Sequence, residues 1–547
     1  MNTQSSTNPF AQVPKTLVNR SLFDENFRHL TSIDSGYLVP IFNDEILPGD
    51  TISFQPTLFA RLATQVVPFM DNAYVDFHLW FVPRRLVWSN WQKFMGEQLN
   101  PGDSIDYLIP TVSTPAEGLE PQTLLNYIGV PAGLKNFEID ACYPRSCNLI
   151  YNEWYRDENL QDRLYCPTDD GPDDVTQYNL FRRGKRGDYF TTALPSPQKG
   201  PGVELPLGGT APVIGNGLAL GFSNGTSNFA GAAINNGSSL VLGASNYGAS
   251  LAVSGGSSAN PMPANSIVGI TNDPAKSGLV VLLNQATAAT INTLRQAISL
   301  QQFSEKDMRG GTRYTELVYS HFGVISPDAR LQRPEFLGSF TANLNQNTVA
   351  QTSQTTQGNN GSPQANLSAY SVFSVSGGQI HKSFTEHGIL IGFVCIRADL
   401  TYQYGVNRML TRRTRYDFAW PTFAHLGEQE VKNKEIYAQG PDVKDENGNI
   451  VDEQTWGYQE RYAEYRFRNN MITGKLASNV SGSLDVWHLS QKFESLPLLN
   501  SDFIEEKPPF ERVIAVQDEP QFILDADFDY SKATCLPVYG IPGLERI

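Results

Sequence analysis

Cysteine is scarce in this chain, with five among 547 residues. So sparse and odd-numbered a set excludes a disulfide scaffold and fits a reducing compartment. Long apolar runs are missing too. Stretches such as Leu279 to Leu283 fall far short of the roughly 18–20 residues that cross a bilayer, so a membrane-inserted protein is not expected. The opening MNTQSSTNPF has no cationic segment leading into an apolar one, which argues against a secretory signal. Charge is thin at 18%, below the usual quarter, and the shortage is local. Residues 205–272 and 336–380 contain no Asp, Glu, Lys, Arg or His. A cationic excess is also lacking. Lys plus Arg number 41 against 56 Asp plus Glu, a formal net charge of −15, so the whole surface is not built to coat nucleic acid.

Catalytic signatures are lacking as well. There is no H-E-x-x-H pair, and Gly474-Lys475 runs into Leu476 without the glycine of a phosphate loop. Cys142, Cys147 and Cys166 have no histidine nearby and the wrong spacing for zinc. Asp525, Asp527 and Asp529 begin like a calcium loop, but Tyr530 stands at its sixth position and Leu536 at its twelfth. An acidic strand face is the better reading. Neither an enzyme nor a bound cofactor or metal is expected, and His78 and His321 read as structural.

What is present is a core. Hydrophobic residues make up 40% and aromatics 11%, which excludes global disorder. Thr51 to Leu58, after the turn Pro48-Gly49-Asp50, and Tyr74 to Val82 alternate as strands, the latter with Val75, Phe77, Leu79 and Phe81 on one face. Gly388 to Gly405 is apolar on both faces, as a strand inside a sandwich would be. Ser483 to Leu489 alternates, and Asn447-Gly448 reads as a hairpin turn. Leu86 to Gln98 and Arg145 to Glu158 have helical period. Ile291, Leu294 and Ile298, then Tyr314, Leu317, Val318, His321 and Phe322, predict two helices flanking Gly310-Gly311. Residues 336–380 read as a Gln/Asn/Ser/Thr-rich loop. Strands outnumber helices and long loops separate them, the pattern of a mainly β, double-sheet jelly roll.

Three parts follow: a flexible arm at 1–16, a discontinuous β domain at 17–200 and 288–547, and a Gly/Ser/Asn-rich insertion at 201–287. The insertion is long for a linker and punctuated by Val, Leu, Ile and Phe, so a folded β insertion is expected. Its candidate contact residues are Phe222, Asn224, Phe229, Asn235, Asn246 and Tyr247.

Two basic clusters interrupt the acidic average. Arg182, Arg183, Lys185 and Arg186 lie between Phe181 and Tyr189-Phe190. Arg408, Arg412, Arg413 and Arg415 precede Tyr416 and Phe418. Cations meet phosphates and aromatics stack on unpaired bases, which suits single-stranded nucleic acid. The competing reading is ion pairing with carboxylates of neighbouring segments or subunits.

Several long blocks resemble the major capsid proteins of microviruses, the small icosahedral phages with single-stranded DNA, in their gokushovirus branch. The carrying motifs are Leu47-Pro48-Gly49-Asp50, Pro68-Phe69-Met70-Asp71 and Phe81-Val82-Pro83-Arg84-Arg85-Leu86-Val87-Trp88. Arg313 to Gly338, His387 to Val406, Asp417 to Ile436 and the closing Pro537 to Leu544 resemble the same family. The resemblance implies a viral jelly roll that assembles with copies of itself into a T=1 shell around a circular single-stranded DNA genome. It implies residence in the virion after assembly in the bacterial cytoplasm. It also implies a small basic packaging protein, scaffolding and pilot proteins, and a host surface receptor such as glycan or lipopolysaccharide, met by an insertion at the threefold axes. Position alone assigns residues 201–287 to that protrusion. The alternatives are a secreted or fibre-type β protein that binds glycans, which fits the Gly/Ser/Asn loops, and a β-sandwich hydrolase, for which no carboxylate pair stands out.

Overall fold

A computed structural model describes residues 19–202, 291–310, 314–323, 332–353 and 364–539, together with short strand segments between 213 and 281. The arm at 1–16 and Asn224, Asn235, Asn246 and Tyr247 lie outside the described residues. Phe222 and Phe229 fall in two short strands that pair with each other. The chain divides into two compact units. One comprises residues up to Pro197 and from Met308 onward, the other Gln198–Asp307.

Eleven strands of the first unit carry the argument: β1 (Ser21–Asp24), β2 (Phe27–Ile33), β3 (Val39–Ile46), β4 (Thr51–Leu62), β5 (Ala73–Pro83), β6 (Glu335–Asn343), β7 (Asn345–Ala350), β8 (Leu367–Ser376), β9 (Ile380–Ser383), β10 (Gly388–Ala398) and β11 (Phe522–Thr534). The first sheet runs β1–β11–β4–β8–β7, with β2 also on β11 and β9 also on β4. The second runs β6–β5–β10–β3. Every pairing in both sheets is antiparallel. The result is a mainly β, jelly-roll-like sandwich, as the alternation predicts. Strand β2 near the start pairs with β11 near the end, so the sheet closes only when almost the whole chain is present.

The shared core is aromatic. Phe54 of β4, Phe528 of β11, Phe42 of β3 and Phe77 of β5 pack as ring pairs at centroid separations of 4.7 to 6.4 Å. Each buried ring contributes about 1.5–3 kcal/mol. Strand β10 is buried along its whole length. Leu390, Val394 and Ile396 face this core. Ile389, Ile391, Phe393 and Cys395 face a second cluster with Trp88, Cys142, Cys147 and Ile150. The two-sided apolarity is thereby explained. Gly392 is required in β10, because a Cβ there would lie 2.7 Å from the Phe77 ring. On β11, Phe522, Leu524, Ala526, Phe528 and Tyr530 point inward while Asp527 and Asp529 lie exposed, the acidic strand face expected for this run. Arg28 of β2 pairs with its Asp525.

Four local expectations are corrected. Residues 336–380 are not a loop but contain β6 to β8 and open onto β9. Their inward positions are Ala369, Ser371 and Phe373, and buried Ser371 accepts a bond from Gln65, so neutral polar residues serve as strand residues. Leu86 to Gln98 is two single turns, Arg84–Val87 and Trp91–Phe94. Between them Ser89 is drawn out to bond the Thr168 carbonyl through both its N–H and its hydroxyl. Ser483 to Leu489 forms a 3-10 turn at Asp485–Trp487 rather than a strand, since its backbone bonds reach Met70 and the Asp71 carboxylate and not a partner strand. The helix expected over Arg145 to Glu158 starts earlier. It forms α1 (Cys142–Ile150), started by the Asp140 carboxylate on the Cys142 N–H, and passes into a π turn to Tyr155. The two helices expected around Gly310-Gly311 are α2 (Ile291–Gly310) and α3 (Tyr314–Phe322).

Candidate nucleic-acid interface

The first basic cluster is threaded between two segments. Arg183 donates its N–H to Gly36 O, Lys185 its N–H to Ile504 O, and Glu506 its N–H to Arg183 O. Gly36 sits at a φ of +80°, where a Cβ would strike the Glu506 carbonyl at 2.1 Å, so only glycine fits. This threading turns the cations inward. Arg182 lies 4.1 Å over the Tyr37 ring and donates to the Glu506 carbonyl. Arg183 pairs with buried Asp76, which also binds Arg397 and the Thr341 hydroxyl. Burial alone would raise the Asp76 carboxyl, but Arg397, Arg183 and Thr341 outweigh it and hold the group down to about 2. Burial, helped by the Arg183 charge, pushes His78 down to about 4, so it stays neutral in its bond to the Tyr155 hydroxyl. Lys185 donates to Gln491 Oε1 and to the Phe503 carbonyl, and burial lowers its ammonium to about 8. Arg186 is exposed, 4.9 Å over the Tyr74 ring.

The second cluster is split. Arg408 bonds buried Glu435 at 3.1 Å, and that carboxylate also accepts from the Tyr189 hydroxyl at 2.8 Å. Burial raises Glu435 against the pull of Arg408. Arg412 pairs with buried Glu464 at 3.0 Å and covers the Tyr465 ring at 4.5 Å. Arg413 and Arg415 face solvent. Their loop is fixed from below, with the Asp417 carboxylate accepting the N–H groups of Arg413 and Thr414. Arg413 has no side-chain hydrogen bond or ion pair among the described residues, and Arg415 rests on the Tyr416 ring at 4.7 Å.

The ion-pairing reading thus describes Arg183, Arg408 and Arg412 within one subunit, while Arg186, Arg413 and Arg415 keep free faces. The structure adds a segment that the sequence reading passed over, Arg461-Tyr462-Ala463-Glu464-Tyr465-Arg466-Phe467-Arg468. Its Tyr465 and Tyr462 hydroxyls accept the N–H groups of Ala419 and Trp420, which docks it beside the 408–420 loop. Glu460 and Glu464 offset two of its three arginines in a charge count. The joint surface exposes Tyr416 (55%), Phe418 (51%), Trp420 (47%) and Phe467 (42%) beside Arg413, Arg415 and Arg468. Free guanidinium groups next to uncovered rings can bind phosphates and stack unpaired bases.

Comparison with known proteins bears on the whole chain. The family model described as capsid protein (F protein) matches residues 11–544. The capsid protein VP1 of Bdellovibrio phage phiMH2K is 47% identical, over 97% of this chain and 97% of that protein. Capsid protein VP1 of Chlamydia phage 1 is 40% identical, over 99% and 98%. Capsid protein VP1 of Spiroplasma virus 4 is 32% identical, over 97% and 96%.

Proposed function

Because this chain belongs to the F capsid protein family of phages, we propose that it closes with copies of itself, sixty by icosahedral symmetry, into a T=1 shell around a circular single-stranded DNA genome. It is a structural protein of the virion, not an enzyme. The sandwich supplies a rigid wall and the long loops supply area for the contacts, which in obligate assemblies commonly reach about 2,000 Å² or more.

The observation that carries the genome part of this reading is the exposed surface of Arg413, Arg415 and Arg468 with Tyr416, Phe418, Trp420 and Phe467, set on a chain of net charge −15. A shell of acidic subunits and a phosphate backbone repel each other, so the attractive groups must be local and cationic partners must help. A small basic packaging protein meets that need, with scaffolding and pilot proteins as further partners of assembly. The uncharged part of the 201–287 insertion suits a projecting element, where clustered copies would otherwise repel. In this reading it faces a host surface component, glycan or lipopolysaccharide.

The test separates binding from pairing. Particles carrying Arg413→Ala and Arg415→Ala together are expected to package less DNA. The salt slope of single-strand binding should fall by roughly 0.7 per lost phosphate contact, with unchanged heat stability of empty shells. Arg412→Ala is expected to do the reverse and destabilise the shell by unpairing Glu464. DNA content unchanged in the double variant would contradict the genome-facing reading.

A further inference from the structure

Strand β7 ends the first sheet on one side. It pairs with β8 from Asn345↔Val372 to Ala350↔Leu367 without a register shift, and no described strand lies beyond it. An open edge is a template for another chain, and proteins usually blunt it with Lys, Pro or a bulge. Strand β7 has none of these; it reads Asn-Gln-Asn-Thr-Val-Ala. At the opposite margin of the same sheet β2 carries Arg28 and His29. The neutrality extends through residues 336–380, so the neighbouring β8 contributes no charge either.

Neutrality selects among partners. When a strand pairs antiparallel with its own copy across a twofold axis, the residue on the axis faces its own copy. Like charges placed directly opposite are destabilising, so a self-pairing edge must be uncharged at its centre, here Asn347. A basic or acidic peptide would instead be matched by an edge of opposite charge. The surface beside the edge also has something to cover. Val349 is 48% exposed and Tyr370 of β8 is 44% exposed, a β-branched and an aromatic residue of the kind that pack across strand pairs.

We propose that β7 pairs antiparallel with β7 of a second copy and continues the first sheet across a twofold contact. The inference rests on the self-assembly reading and gives it a location. The full-length chain would be made as Asn347→Lys and as Asn347→Glu, separately and together, with particles counted by sedimentation and folding checked by circular dichroism. Each variant alone is expected to lower particle yield about tenfold or more, and the mixture to restore it, because Lys then faces Glu across the axis. Either variant assembling like the unaltered chain would overturn the proposal, and so would a mixture that fails to recover. Copies carrying Asn347→Cys, compared with the unaltered chain, give an independent reading. A short bismaleimide should link them as dimers, and their absence also overturns the pairing. If dimers link but the unaltered chain never forms shells, the capsid reading fails and the edge pairing stands.

Discussion

Replacing Arg145 by alanine is expected to cost the subunit about 3–5 kcal/mol, enough to remove most soluble protein. Arg145 is wholly buried and holds the loop that carries Asp169 and Asp173. Its guanidinium meets Asp173 through two bonds, at 2.7 and 2.5 Å, and also reaches the Val87 and Asp169 carbonyls and the Asp169 carboxylate. Asp173 is itself buried and accepts the Tyr178 hydroxyl as well. Alanine would strand that carboxylate in an apolar cluster. The cost comes mainly from the unpaired charge, so Arg145→Leu combined with Asp173→Leu should be less damaging than Arg145→Leu alone. Urea unfolding of the three variants reads this directly. A double variant weaker than the single one would show that the pair contributes more than mutual neutralisation.

The second large effect concerns the insertion. Deleting residues 205–272 is expected to leave particles that still form and hold DNA, while adsorption to host cells falls to background. The deleted stretch lies inside the compact unit Gln198–Asp307, and its described strands belong to neither sheet of the sandwich. It also removes Phe222, Asn224, Phe229, Asn235, Asn246 and Tyr247, the residues assigned to host contact. Cell-binding and plaque assays on purified particles separate the two functions. Normal infectivity would contradict the role in attachment. Loss of particles would assign the insertion to assembly instead.

Much of the fold is legible in the sequence because burial leaves a periodic mark. Strand β5 alternates because one face meets the aromatic core, and β10 is apolar throughout because both faces are covered. The acidic run at Asp525, Asp527 and Asp529 reads correctly as one strand face. The failures have physical causes as well. Strands β6 to β8 use Ser, Thr, Asn and Gln where other strands use charge, so they resemble a loop. The alternation at Ser483 to Leu489 has no strand to pair with. In the candidate interface, composition locates cations but not their partners. Asp76 lies far in sequence from Arg183 and Arg397, and Glu464 from Arg412, so only the fold shows which arginines are neutralised. The 461–468 segment escapes notice because Glu460 and Glu464 offset two of its three arginines.

In the proposed closed shell, subunits turn the Arg413, Arg415 and Arg468 surface toward DNA and the insertion toward the host. An electron cryomicroscopy reconstruction of DNA-containing particles tests it most directly. The expected map is a T=1 shell with density for nucleic acid against Trp420 and Phe467, and with residues 201–287 projecting outward. Monomers or open filaments in place of shells, or that arginine surface on the particle exterior, would contradict it.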